Sequence, residues 1–170
     1  MKATMYPALT LDGFIADLDG DSDSWADDGV ESEYEAEVKR CGCVIIGGKT
    51  YLQYKSDFDS GEDATTFVCT NNPDYQDTEK LKFIHGTPQE MLSIVEQHGF
   101  SEAILSGGGE INGLFASAGL VDEIIVSVHP LTLGQGIPLF GSYHPRLKLQ
   151  LISSQQGNVG ITQNHYKVVK

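Results

Sequence analysis

Two short stretches carry the glycines that a phosphate-holding turn needs. Cys43-Val44-Ile45-Ile46 runs directly into Gly47-Gly48-Lys49-Thr50-Tyr51, and Ala103-Ile104-Leu105 runs through Ser106 into Gly107-Gly108-Gly109-Glu110-Ile111. A continuous apolar run closed by glycine reads as a buried strand handing over to a helix, and the first turn of a helix presents backbone N–H groups that lack partners. Glycine there lets the backbone come close to a pyrophosphate. Lys49 and Thr50 add one positive charge and one hydroxyl. The same glycines could serve tight turns and nothing else; two such turns in one chain favour an anionic ligand.

Neither stretch has the spacing of a standard phosphate motif. A P-loop requires a glycine where this chain has Cys43, and the spaced glycines of a Rossmann turn are matched only in part by Gly107-Gly108-Gly109. Metal chemistry has little to stand on. Asp17, Asp19, Asp21 and Asp28 fall at calcium-loop spacing, but Ser22 occupies the place that needs glycine and no helix enters the loop. Cys41 and Cys43 are too close for the usual zinc spacing, and the five histidines show no ligand pattern. No metal ligand is assigned.

These turns must be positioned by a scaffold, which the rest of the chain outlines. Lys2 to Thr10 reads as a first strand, with Pro7 marking a bulge or an interrupted edge. Asp12-Gly13 turns the chain, the acidic run Asp17 to Asp28 is a loop, and Glu31 to Arg40 is helical with basic residues in its last turn. Thr66 to Thr70 and Leu81 to His85 are strands. Thr87-Pro88-Gln89-Glu90 predicts a capping box opening a helix that stops at Gly99, with Met91, Leu92, Ile94 and Val95 as its core face. The strand at Ala103 to Leu105 follows, then a helix from Ile111 to Ala118 and a strand from Asp122 to Val128. That alternation implies parallel crossovers with helices covering a sheet. The tail differs: Leu147, Leu149 and Leu151 alternate, and Tyr166 to Val169 closes an antiparallel hairpin, so the sheet is mixed but mostly parallel.

Size and charge bound the function. The 170 residues suit a single α/β domain spanning 1–170, and no apolar run approaches the length of a membrane span. With 24 acidic residues against 11 basic ones, the net charge of −13 disfavours nucleic acid and anionic membranes as partners. Three cysteines, an odd and sparse set, together with a start that lacks a secretory signal, place the expectation in the cytoplasm with free thiols.

The ordered set Ala8-Leu9-Thr10-Leu11-Asp12-Gly13-Phe14-Ile15-Ala16, Val44 to Tyr51, Leu105 to Glu110, Asp122-Glu123-Ile124 and Pro130 to Phe140 resembles the dihydrofolate reductase superfamily. It is most like the reductase domain of riboflavin-biosynthesis proteins (the RibD C-terminal domain) and its stand-alone relatives. The resemblance implies a three-layer dihydrofolate reductase-like fold and an NADPH-dependent oxidoreductase passing hydride to a C=N or similar bond of a heterocyclic substrate. A riboflavin-pathway pyrimidine reductase, acting on 5-amino-6-(5-phosphoribosylamino)uracil, is the nearest model for the activity. Dihydrofolate reductase activity and a non-catalytic dinucleotide-binding protein are the alternatives. By position, Ala8 and Ile15 would flank the nicotinamide, Gly47, Gly48, Lys49 and Thr50 with Gly107, Gly108, Gly109, Glu110 and Ile111 would hold the phosphates, and Thr70 would sit near the adenosine. Lys49 could meet the 2′-phosphate, although the family often has arginine where this chain has Gly48. Asp12, matching an aspartate of the relatives, is the candidate catalytic proton donor, against the reading that it shapes an Asp-Gly turn. In true dihydrofolate reductases the acid comes from the next helix, where Glu31, Glu33 and Glu37 are available. Relatives that meet a ribose phosphate carry lysine where this chain has Tyr6, which puts a phosphorylated substrate in question. A homodimer is the assembly the resemblance suggests.

Overall fold

Pro7 has no N–H to give a ladder, and the first strand breaks there into β1 (Lys2–Met5) and β2 (Ala8–Thr10). The break costs no register. Met5 faces Ile124 and Ala8 faces Ser127 on one neighbouring strand, and the Pro7 carbonyl accepts from Ser127 N–H at 3.1 Å. The expected bulge or edge is therefore corrected to an in-register interruption inside the sheet.

The structure, a computed structural model, describes every residue except 27–30 and 61–63; Asp28 of the calcium-like spacing lies outside the described residues. After β2 come β3 (Phe14–Ala16), the short α1 (Asp23–Ala26), α2 (Glu31–Cys41), β4 (Cys43–Gly47), α3 (Gly48–Gln53), α4 (Lys55–Ser60), β5 (Thr65–Cys69) and β6 (Leu81–Ile84). The rest is α5 (Pro88–Gln97), β7 (Glu102–Leu105), α6 (Gly109–Ser117), β8 (Glu123–His129), β9 (Ile137–Pro138), β10 (Lys148–Gln156) and β11 (Thr162–Val169). The main sheet runs β10-β11-β8-β1-β7-β4-β5-β6, with β2 extending β1 alongside β8. All its pairings are parallel except those of β11 with β8 and β10.

The period-2 alternation of strand side chains divides the core between two faces. On one, Met5, Ile45, Phe67, Leu105, Ile124 and Val126 pack with Met91, Leu92 and Val95 of α5 and Phe115 of α6. On the other, Ile46 and Val68 pack with Tyr51 of α3 and Phe58 of α4. Full burial of a side chain such as Phe67 or Phe115 contributes roughly 1.5–3 kcal/mol. The capping box at α5 is present: Thr87 Oγ1 accepts from Glu90 N–H at 3.3 Å while the Glu90 carboxylate accepts from Thr87 N–H at 2.7 Å.

The tail departs from its pattern in one respect. The alternating Leu149 and Leu151 are exposed, as is Ile152, because β10 is the outermost strand of the sheet and pairs with β11 on one edge alone. Helix α6 also begins earlier than its apolar residues suggest, at Gly109 rather than Ile111.

Candidate functional site

Strands β4 and β7 are parallel neighbours, with Val44 opposite Ile104 and Ile45 opposite Leu105, so the glycine turns that follow them emerge side by side. Gly47 N–H donates to Gly107 O at 2.8 Å and Ser106 N–H to Ile45 O at 3.0 Å. The absent side chains mark how closely the pieces approach. A Cβ on Gly47 would stand 2.9 Å from Ile111 Cγ1, one on Gly108 3.1 Å from Thr50 Oγ1, and one on Gly48 3.3 Å from Thr70 Oγ1. Gly47, Gly48, Thr50, Thr70, Gly107, Gly108 and Ile111 thus converge, while Lys49 is exposed on α3.

Helix α6 opens from Gly108, which has no side chain to cap it. Its first hydrogen bond runs from Asn112 N–H to Gly108 O at 3.0 Å, which leaves the N–H groups of Gly109, Glu110 and Ile111 without intrahelical partners. The positive end of the helix dipole and three donors without intrahelical partners suit an anion, so the residues present fit the phosphates of a dinucleotide.

Two members of the turn do something the spacing did not reveal. The open side of Gly109 faces protein: a Cβ would lie 2.5 Å from Pro138 O and 2.8 Å from Gly141 N. The Glu110 carboxylate accepts from both the N–H and the hydroxyl of Ser142 at 2.8 Å. Both residues lock α6 onto the segment after β9, and β9 in turn pairs with β3, so half-buried Ile15 is tied to the second glycine turn through that small sheet. Half-buried Ala8 stands across from Ser127 in β2.

Asp12 is exposed and fully engaged as an acceptor. Its carboxylate takes the Thr10 hydroxyl at 2.7 Å, Leu133 N–H at 3.2 Å and Gly134 N–H at 2.7 Å, and these bonds, that of Thr10 foremost, hold it below the usual aspartate range. A group whose folded pKa is depressed stabilises above its unfolded pKa and loses that contribution as pH falls through the folded value. The stability difference between wild type and Asp12→Asn is therefore expected to be constant well above about pH 4 and to shrink progressively as pH falls below it through the lower folded value, read by urea unfolding at several pH values.

A second polar group lies at the same ends of the strands. The Tyr34 hydroxyl of α2 bonds to Ser106 Oγ, directly before the second glycine turn. The ring of Tyr6 meets that of Tyr34 edge-on at 5.4 Å, and its hydroxyl accepts from Gln163 Nε2 at 3.1 Å. Gln155 Nε2 donates to Gln163 Oε1 at 2.9 Å and to Glu33 at 3.3 Å. Burial, then the charge of Glu33, pushes the Tyr6 hydroxyl up to about 12, and burial also raises Tyr34, so both phenols are neutral at ordinary pH. Of these residues Tyr6, Glu33 and Ser106 drew notice in the sequence. The others are joined by sheet register rather than by any local spacing.

Elsewhere, Asp17 Oδ1 accepts from the N–H groups of Asp19 and Asp21, closing the acidic loop on itself. Among the described residues no cluster of three His, Cys, Asp or Glu is arranged to hold a metal. None of the described helices is long and apolar enough to cross a membrane.

A mixed, mostly parallel sheet between helices, with two glycine turns meeting at the ends of adjacent strands, defines a dihydrofolate reductase-like α/β protein. More particularly, the chain belongs to the RibD C-terminal domain family, whose model matches residues 55–162. It is 33% identical to the uncharacterized protein YwjB of Bacillus subtilis (strain 168), covering 97% of both chains. A protein of Shewanella sp. PV-4 named for riboflavin biosynthesis has the same fold over 100% of both chains, at a TM-score of 0.84 and 26% identity. The Thermotoga maritima diaminohydroxyphosphoribosylaminopyrimidine deaminase/5-amino-6-(5-phosphoribosylamino)uracil reductase aligns at 0.82 and 16% identity, over 99% of this chain and 56% of that one. Enterococcus faecalis dihydrofolate reductase, solved with NADP(H), aligns at 0.75 and 16% identity over 99% and 97%.

Proposed function

We propose that this chain is an NADPH-dependent reductase that passes hydride to a nitrogen heterocycle, in the manner of the riboflavin-pathway pyrimidine reductases. The observation that carries the reading is the meeting of the two glycine turns, with Thr50, Thr70 and the unpartnered N–H groups of α6 around them. NADPH, when bound, supplies the hydride. Gly47, Gly48, Thr50, Gly107 and Gly108, with the backbone N–H groups of Gly109, Glu110 and Ile111, hold its phosphates; Lys49 meets the 2′-phosphate. Thr70 lies on the adenosine side, and Ala8 and Ile15 flank the nicotinamide.

Asp12 is assigned a positioning role. A carboxylate that three donors keep ionised carries no proton to deliver to substrate, and its bonds to Leu133 and Gly134 keep the β2–β3 turn against the loop after β8. The proton for the reduced bond then comes from another group or from water. The proposal includes one reductase domain spanning 1–170, working in the cytoplasm as a homodimer on a small-molecule substrate.

The test is a fluorescence titration of NADPH with purified protein. Binding with a Kd below about 1 mM, the upper end of ordinary KM values, is expected. No change in NADPH fluorescence across that range would overturn the reading.

A further inference from the structure

Beside the cofactor turns, one face of the sheet holds buried polar atoms with nothing to bond. Ser127 stands in register with Ala8 on one side and Gln163 on the other, is 1% exposed, and its hydroxyl has no partner. Trp25 Nε1 is likewise buried without a partner, and its ring sits edge-on against His129 at 5.3 Å, two residues along β8 from Ser127 and so on the same face. An orphaned buried donor is costly to leave unpaired, and a ligand with matching groups would recover that cost.

What surrounds these atoms states what they accept. Tyr6, whose hydroxyl oxygen is taken by Gln163, keeps its own O–H to donate. Glu33, held by Gln155 at 3.3 Å, brings a carboxylate to the end of the row. Arg40 of the same helix is committed to Glu37 and Glu102. The histidines of this face, His129 and His165, lie against Trp25 and Glu123 respectively. Lys2 is paired with the same Glu123, so Glu33 is the charged group that meets the Tyr6 and Gln163 end of the row.

Resting on the reductase reading above, we propose that Tyr6, Trp25, Ser127 and Glu33 form the substrate-recognition surface, and that it takes a non-phosphorylated nitrogen heterocycle with an amide-type edge. Ring carbonyls would accept from the tyrosine, indole and serine donors, and ring or exocyclic N–H groups would donate to Glu33. A phosphate on the substrate would meet the Glu33 carboxylate, which is discrimination by like charge.

The experiment is calorimetric titration of NADP⁺-saturated protein with the phosphoribosylaminouracil named for the Thermotoga enzyme and with the same compound lacking its phosphate. The unphosphorylated compound is expected to bind at least about tenfold more tightly, Glu33→Lys to bring that ratio to about one or below, and Ser127→Ala to weaken both ligands by about tenfold with NADP⁺ affinity unchanged. Tighter binding of the phosphorylated compound, binding of neither, or a ratio unmoved by Glu33→Lys overturns the proposal while leaving the reductase reading intact. Failure of NADP⁺ itself to bind overturns the reductase reading, and this inference with it.

Discussion

Gly109→Ala is expected to destabilise the chain by about 3 kcal/mol, and to lose cofactor binding through that distortion. The methyl group would sit 2.5 Å from Pro138 O, 2.8 Å from Gly141 N and 3.0 Å from Gly141 Cα, all backbone atoms that cannot rotate aside. Either α6 withdraws from the loop or the loop lifts away. The second choice strains the two bonds from Ser142 to Glu110 and the β3–β9 pairing, which position Ile15. Urea unfolding gives the stability change and NADPH fluorescence the binding. An alanine variant as stable as wild type would mean that the contact between α6 and this loop is looser than described.

One residue earlier the expected outcome is the reverse. Gly108→Val should leave stability within about 1 kcal/mol of wild type and weaken NADPH by about 100-fold, equivalent to about 2.7 kcal/mol of binding free energy. The backbone at Gly108 has φ −74° and ψ −163°, at the edge of the extended region and with no positive φ to reserve it for glycine. Its Cβ would approach only Thr50 Oγ1, at 3.1 Å, and that hydroxyl can rotate. The branched methyls would then fill the gap between the two turns, where the phosphates are proposed to lie. Wild-type NADPH affinity in Gly108→Val would remove the phosphates from that gap. Together the neighbouring variants separate a glycine needed for packing from one needed for open space, a distinction that three consecutive glycines do not display.

Much of the scaffold is legible residue by residue. The capping box at Thr87 and Glu90, the stop at Gly99 with its φ of +94°, and the fully buried Cys43–Gly47 strand follow from chemistry confined to a few neighbouring residues. Pro7 announced an interruption for the same reason, a missing N–H. Its place in the sheet's interior was not legible, because strand order depends on contacts with residues a hundred or more positions away. The alternation of Leu149 and Leu151 marked β10 of the antiparallel hairpin but not its exposure: a period of two names the faces of a strand, while only its neighbours determine whether either face is covered.

The site divides along the same line. From the sequence by itself came the two glycine turns, the Asp12-Gly13 turn and the family resemblance, all of which rest on local order along the chain. Only the tertiary structure decided that Gly109 packs while Gly108 stays open, and that Asp12 is held by the N–H groups of Leu133 and Gly134. It alone brought Tyr6, Glu33, Gln155 and Gln163 into one hydrogen-bonded row beside Ser127. The physical reason is that a turn's conformation is set by the residues within it. What a side chain faces is set by sheet register, which brings together residues such as Tyr6 and Gln163, 157 positions apart.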